Sequence, residues 1–173
     1  EVLRGAGYTV RALHSDQRDA DLVPTRANIW GELANLTSST GAGDLLLVHF
    51  AGHGTLDDDD HAYVLPTDAR QGALPHTAID LDELKQTLAD AGAQARILIL
   101  DACHAGIGRD TRGMAEAFAR HVYLEASGTA TLAACRRGEI AHEHHASEHG
   151  AFTHFLLEGL RGAACRDSDR FIT

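Results

Sequence analysis

The sequence contains few cysteines, fewer basic than acidic residues, and no long apolar run. Its 173 residues include three cysteines, Cys103, Cys135 and Cys165, whose spacing fits neither a disulfide scaffold nor a CxxC zinc site. The net charge of −10 argues against binding to nucleic acid, because that binding depends on basic side chains that neutralise phosphates. No segment is typical of a signal peptide or a membrane span. We therefore predict a cytoplasmic protein that binds neither nucleic acid nor membrane.

Short apolar runs alternate with amphipathic segments along the chain. We predict strands at residues 8–13, 44–51, 62–65, 97–100 and 129–135, and helices at residues 24–36, 80–91, 114–122 and 151–160. Strands that alternate with helices indicate an α/β domain with a mainly parallel sheet. Residues 1–7 are typical of the end of a helix with a terminal glycine. We therefore expect a single domain that is truncated at both ends of this chain.

The periodicity also predicts which side chains face the core. Asp80 is expected to cap the helix that follows it. His49 lies inside an apolar strand and is expected to be a core histidine. The helical residues expected to face inward are Leu81, Leu84, Leu88, Phe152, Phe155 and Leu156.

Two of the predicted strands lead into residues that can do chemistry. Gly52-His53-Gly54 follows one apolar run, and Asp101-Ala102-Cys103 follows another. The carboxyl ends of parallel strands meet at one edge of the sheet, where α/β proteins bind ligands. A nucleophilic thiolate needs a nearby histidine and backbone N–H groups that stabilise the oxyanion. We predict that His53 and Cys103 form a catalytic dyad, with the N–H groups of Gly54 and Cys103 as oxyanion donors.

The sequence around this pair resembles the caspase-type cysteine peptidases of clan CD, in particular bacterial metacaspase-like members. The matching blocks occur in the family order: LLLVHFAGHGT (45–55), ILILDACHAG (97–106), TLAAC (131–135) and HGAFTHFLLEGL (149–160). His53 precedes Cys103 by 50 positions, as in caspases, where the separation is roughly 50. The resemblance implies a three-layer α/β/α sandwich over residues 1–173, with the family's first strand missing from this chain. It also implies His53 and Cys103 as the dyad, and Gly54 and Cys103 as the oxyanion hole.

The resemblance further implies that Asp101 lines the pocket for the substrate residue before the scissile bond. Animal caspases carry a glutamine at this position, whereas an aspartate favours a cation. We predict a thiol endopeptidase that forms a thioester acyl-enzyme and cleaves protein or peptide substrates after Arg or Lys. Arg is favoured because its planar group matches a carboxylate. The family loop that usually supplies a second pocket acid is missing here, so this prediction depends on Asp101.

Two other functions remain open on the same fold. The domain could be a non-catalytic signalling or scaffold module, since bacterial caspase-like domains often lie beside interaction domains in longer chains. It could also be a clan CD peptidase with a different specificity at the residue before the scissile bond. Arg109, Arg112 and Arg120 follow the nucleophile in a segment that is either a site of self-cleavage or an ordinary surface loop.

The sequence predicts no required cofactor and no metal site. Asp57 to Asp60 form an acidic run without the ligand spacing of an EF-hand, so we expect a solvated loop. Calcium stimulation is common in metacaspases, and calcium therefore remains an alternative as an activator. Four histidines resemble zinc ligands but fall in a polar segment; they are His142, His144, His145 and His149.

Overall fold

The computed structural model describes residues 2–104, 117–122, 128–134 and 151–164, with the backbone alone for Cys103, His104 and Ala151. The chain divides into two compact units. One unit is formed by Glu1–Ala12 and His142–Thr173, and the other by Leu13–Ala141. The positions of the predicted dyad belong to the larger unit.

The larger unit is built around a mixed sheet. Its described strands are β1 (Leu45–Leu56), β2 (Ala62–Leu65), β3 (Ile79–Asp80), β4 (Ala95–His104) and β5 (Thr129–Ala133). Their order across the sheet is β3-β2-β1-β4-β5. β4 is parallel to both β1 and β5, whereas β2 is antiparallel to both β1 and β3. The predicted α/β class is confirmed, and the arrangement agrees with a caspase-like fold.

The helices are short to medium in length. Those described are α1 (Val2–Gly5), α2 (Arg26–Ser39), α3 (Leu74–Thr77), α4 (Leu81–Ala89), α5 (residues 117–122) and α6 (Ala151–Glu158). Single 3₁₀ turns occur at Ala20–Leu22 and Gln71–Ala73, and α6 continues into a π-helix at Gly159–Ala163. Across the described ranges, every helix falls short of the length and apolar character that a bilayer crossing requires.

The core of the larger unit joins one face of the sheet to three helices. Leu46 of β1 and Leu98 and Leu100 of β4 lie on this face and are buried. The helical residues packed with them are Leu33, Leu81, Leu84, Leu88, Phe118, Ala119 and Val122. Full burial of a Leu, Val or Phe side chain contributes about 1.5–3 kcal/mol. This core confirms the predicted inward face of α4 and fixes α2, α4 and α5 against β1 and β4.

Local capping determines where α2 and α4 begin. The Thr25 hydroxyl accepts a hydrogen bond from the Asn28 N–H at 3.2 Å. The Asp80 carboxylate accepts bonds from the N–H groups of Asp82 and Glu83, both at 2.9 Å. These contacts satisfy N–H groups that have no partner within the helix. The predicted role of Asp80 as a cap is confirmed.

The two central strands extend further than the sequence predicts. β1 continues to Leu56 and β4 to His104. His53 and Cys103 therefore lie within strands instead of following them. β1 continues beyond its apolar run because its last residues are hydrogen-bonded to β2 on one side and to β4 on the other.

Two further predictions for β structure are wrong. Residues 8–13 form no regular structure. Their alternating pattern favours a strand, but none of the described strands pairs with them. His49 is exposed because it lies on the face of β1 opposite Leu46. A continuous apolar run does not reveal that only one face of a strand is covered.

The smaller unit contains α1 and α6. Gly7 follows α1 with a φ of +90°, which confirms the predicted glycine stop. In α6, Phe152 and Leu156 are half-buried, but the prediction for Phe155 is wrong, since its side chain is 68% exposed. The buried face of α6 contains Thr153 instead. The sequence pattern is compatible with more than one rotation of the helix about its axis, and the structure selects this one.

Candidate active site

The ladder between β1 and β4 brings the two predicted motifs together. It consists of ten consecutive parallel pairs, from Leu45 opposite Ala95 to Gly54 opposite His104. The ninth pair is His53 with Cys103. Partners on adjacent strands lie about 4.8 Å apart in the hydrogen-bonding direction. The sequence predicted that both motifs reach one edge of the sheet, and the structure places these two positions side by side.

Asp101 also lies in this ladder, two positions before Cys103. It is opposite Ala51 and only 7% exposed. Alternate positions along a strand share a face of the sheet, so positions 51, 53, 101 and 103 belong to one face. His53 is exposed on that face. The face therefore combines an accessible histidine with a buried acid.

Gly54 is buried beneath an aromatic ring. A Cβ atom on Gly54 would lie 2.3 Å from Cζ and 2.8 Å from Cε2 of Phe118, distances that real side chains do not adopt. The ring therefore packs directly against the Cα atom of Gly54. The sequence indicated a glycine here because the backbone must approach a substrate carbonyl. The structure adds a packing reason that the sequence did not reveal.

A second glycine of β1, Gly52, also lies beside an aromatic ring, but it is exposed. A Cβ atom on Gly52 would lie 3.2 Å from Cε1 and Cζ of Phe50, a neighbour on the same strand. Positions 50, 52 and 54 share the face that meets the core. Of the two glycines, only Gly54 is buried beneath a ring.

A buried lysine attaches α5 to α4. Lys85 is 3% exposed, and its Nζ donates a hydrogen bond to the carbonyl oxygen of His121. Burial lowers the pKa of Lys85 below its ordinary value, and the charge of Asp82 opposes this effect. Nδ1 of His121 lies 3.8 Å from a carboxylate oxygen of Asp82. The bond from Lys85 therefore links the described part of α5 to α4.

The acidic run closes the turn between β1 and β2. One oxygen of Asp57 accepts bonds from the N–H groups of Asp59 and His61 at 3.0 and 2.9 Å. The other lies 3.2 Å from both Nδ1 of His61 and the hydroxyl of Tyr63. Asp60 has a positive φ of 64°, a conformation that aspartate tolerates better than most residues. Asp57 is therefore a structural acceptor of the turn.

These contacts change the titration of two groups. Burial alone would raise the pKa of Asp57, but the bonds from His61, Asp59 and Tyr63 outweigh it and hold that pKa below its usual range. Burial and the Asp57 charge raise the pKa of Tyr63 to about 12. Within the part of the chain that the structure describes, no group of three or more His, Cys, Asp or Glu side chains is placed to hold a metal ion.

Several sequence-predicted positions lie outside the described residues. Among them are Arg109 and Arg112, and the four histidines at 142, 144, 145 and 149. Arg120 is described, and it is an exposed residue of α5. Phe118 and Lys85 were missed by the sequence interpretation. The predicted helix at 114–122 was the available signal for Phe118, but nothing local indicates which strand its ring would meet.

Comparison with known proteins finds similarity to one family. The model of the Caspase domain family matches residues 1–171. Metacaspase-1 of Mycosarcoma maydis is 32% identical over 122 residues, which cover 62% of this chain and 29% of that protein. Metacaspase-4 of Arabidopsis thaliana is 30% identical over 120 residues, which cover 58% of this chain and 27% of that protein. The chain thus spans less than a third of the length of these curated relatives.

Proposed function

Because the chain belongs to the Caspase domain family of cysteine peptidases, we propose that it is an endopeptidase that cleaves after Arg or Lys with His53 and Cys103. The observation that carries this proposal is the pairing of His53 with Cys103 in the β1–β4 ladder. A histidine can activate a thiol only within hydrogen-bond reach, and the pairing of these two positions on one face of the sheet supports such a contact.

The chemistry follows from these positions. His53 accepts the thiol proton, and the thiolate of Cys103 attacks the carbonyl carbon of the scissile peptide bond. The N–H groups of Gly54 and Cys103 stabilise the oxyanion that forms. When the intermediate collapses, the carbon–nitrogen bond breaks and His53 gives its proton to the leaving amine. A water molecule then hydrolyses the thioester and restores the thiol.

Asp101 is the proposed source of specificity. Asp101 lies two positions before Cys103 on the same face of the sheet as His53, and a carboxylate there can form a charge-assisted hydrogen bond with a substrate guanidinium or ammonium group. We expect Asp101→Asn to lower kcat/KM for Arg peptides by roughly 10- to 150-fold, the loss of one hydrogen bond to a charged group. Cleavage after an uncharged residue should change much less. Equal losses on both kinds of peptide would contradict this role.

The proposed activity is tested with the natural full-length protein. Peptides that differ only at the residue before the scissile bond should be cleaved after Arg and Lys. Cys103→Ala and His53→Ala should each lower kcat by at least about a thousandfold, since both act in one chemical step. Cys165→Ala is the matched control and should retain activity. Turnover by Cys103→Ala would refute the nucleophile, and cleavage after other residues alone would point to another clan CD specificity.

No cofactor enters these steps, and we propose that none is required. Calcium as an activator is tested by assaying with added calcium and with a chelator in excess. A reducing compartment such as the cytoplasm suits a catalytic thiol. If neither condition gives turnover, and an Arg-containing thiol-reactive probe fails to label Cys103, the domain is a non-catalytic module on the same fold.

A further inference from the structure

Helix α5 packs behind the proposed site. It follows β4 in the sequence, and its residues Phe118, Ala119 and Val122 are at most 1% exposed. The ring of Phe118 is the part of α5 that reaches Gly54. The back of the oxyanion position is thus formed by a segment that comes after the nucleophile in the chain.

We propose that Phe118 is a positioning residue, which sets the position of the Gly54 N–H through the contact of its ring with Gly54. The inference rests on the proposed function, in which that N–H stabilises the oxyanion. Phe118 itself touches neither substrate nor nucleophile in this scheme. It acts through the backbone of β1.

The physical need for such a residue comes from the two glycines of β1. Glycine has more backbone freedom than any other residue, and inside a strand it offers no side chain to pack. Between Phe50 and Leu56, positions 52 and 54 therefore give β1 no side-chain packing of its own on the core face. An aromatic ring laid over such a glycine restores the lost packing.

The ring itself is firmly held. Phe118 and Ala119 are buried in the core, and the Lys85 ammonium bonds to the carbonyl oxygen of His121. The ring therefore has little room to move away from Gly54. A misplacement of about 1 Å near reacting groups can cost about a hundredfold in rate, so a fixed ring matters more for the chemical step than for substrate binding.

The first experiment compares Phe118→Leu with Val122→Ala in the full chain. Val122 lies one turn further along α5, so this control also removes buried volume from the same helix. We expect Phe118→Leu to lower kcat by about 10- to 100-fold with KM changed less than about twofold, and Val122→Ala to leave kcat nearly intact. Equal effects of the two variants on kcat would overturn the proposal.

A second readout does not depend on activity. Backbone amides of residues 50–56 should exchange with deuterium about tenfold faster in Phe118→Leu than in Val122→Ala, because local packing protects them. If the natural protein cleaves nothing, the proposed function fails and exchange alone decides this inference. Equal exchange in the two variants refutes it, whether or not the protein is a peptidase.

A third variant pair tests the contact directly. Gly54→Ala drives a methyl group into the ring of Phe118, and Phe118→Leu removes the ring atoms it would meet. The double variant should therefore regain part of the thermal stability and kcat that Gly54→Ala loses. Strictly additive losses would show that the two residues are not coupled. If Phe118→Leu does not fold, Phe118→Met replaces it, because methionine fills a similar volume with a flexible chain.

Discussion

At the scale of single residues, one carboxylate accepts most of the hydrogen bonds that hold the turn between β1 and β2. Asp57 accepts hydrogen bonds from two backbone N–H groups and from the Tyr63 hydroxyl. Burial and the Asp57 charge together raise the pKa of Tyr63 to about 12. The turn is therefore expected to respond to alkaline pH through one tyrosine.

The expected result is a late tyrosine ionisation. In a spectrophotometric titration, Tyr63 should ionise at about 12, above the ordinary tyrosine value of about 10. Asp57→Asn should bring this ionisation to lower pH, because it removes a negative charge and a carboxylate acceptor. Asp58→Asn, in the same exposed run, is the control and should have little effect. Identical shifts in both variants would show that Asp57 has no specific role.

The same shift has a consequence for stability. Because the folded-state pKa of Tyr63 lies above the unfolded value, the folded protein holds more protons between pH 10 and about 12. This contribution to the free energy of unfolding is complete below pH 10 and is lost as the pH rises to about 12. Wild type should therefore lose more stability than Tyr63→Phe over this interval.

At the residue level, strand order was enough to predict that the motifs of His53 and Cys103 converge, because each follows an apolar run of a parallel sheet. Their catalytic roles stay predictions. His49 and Phe155 could not be placed, because periodicity does not tell which face of a strand is covered or how a helix is rotated. Phe118 could not be foreseen, since its contact with Gly54 joins residues far apart in the sequence.

At the scale of elements, the N-terminus of α4 offers a direct test. Asp80→Ala removes the acceptor of two N–H groups of the first turn and should lower the free energy of unfolding by about 1 kcal/mol. Asp80→Asn keeps a capping oxygen and should cost much less. Denaturant unfolding of both variants measures the difference. Equal losses would mean that the charge of Asp80, and not its capping geometry, stabilises the helix.

Helix α5 also bears on self-cleavage. Arg120 lies between fully buried Ala119 and Val122, so the helix would have to unwind before a peptidase could reach the bond after Arg120. Arg109 and Arg112 lie outside the described residues, and for them the prediction stays as the sequence made it. If self-cleavage occurs, we expect the bond after Arg120 to be cut only under conditions that destabilise α5.

Elements were predictable to the extent that their signals are local. The cap of α4 and the glycine after α1 depend on a few neighbouring residues. The ends of β1 and β4 depend on hydrogen bonds to other strands, and the pattern at 8–13 has no such partner among the described strands. β3 is only two residues long, too short for any periodicity to mark it.

At the scale of the whole molecule, the alternation of strands and helices was enough to predict the α/β class. It did not predict that β2 and β3 add an antiparallel edge to the sheet. A short antiparallel strand and a short parallel strand look alike in sequence, because both are brief apolar runs. The direction of each strand follows from the path of the whole chain.

The β1–β4 ladder implies a strict limit on changes of chain length. An alanine inserted between Val48 and His49 would shift His53 by one position and turn it to the opposite face, because side chains alternate with a period of two. We expect such an insertion to abolish peptidase activity. An alanine inserted after Arg18, in an exposed segment, is the control and should be tolerated. Turnover of an Arg peptide and thermal unfolding of both proteins measure the outcome.

Retained activity in the first protein would show that the ladder can slip, or that the pairing of His53 with Cys103 is unnecessary. Substitutions within β1 and β4 change one contact at a time, whereas an insertion or deletion displaces every position after it. The ten-pair ladder therefore fixes the register of position 53 against position 103. Variation in length in this protein should be confined to the segments outside 45–54 and 95–104.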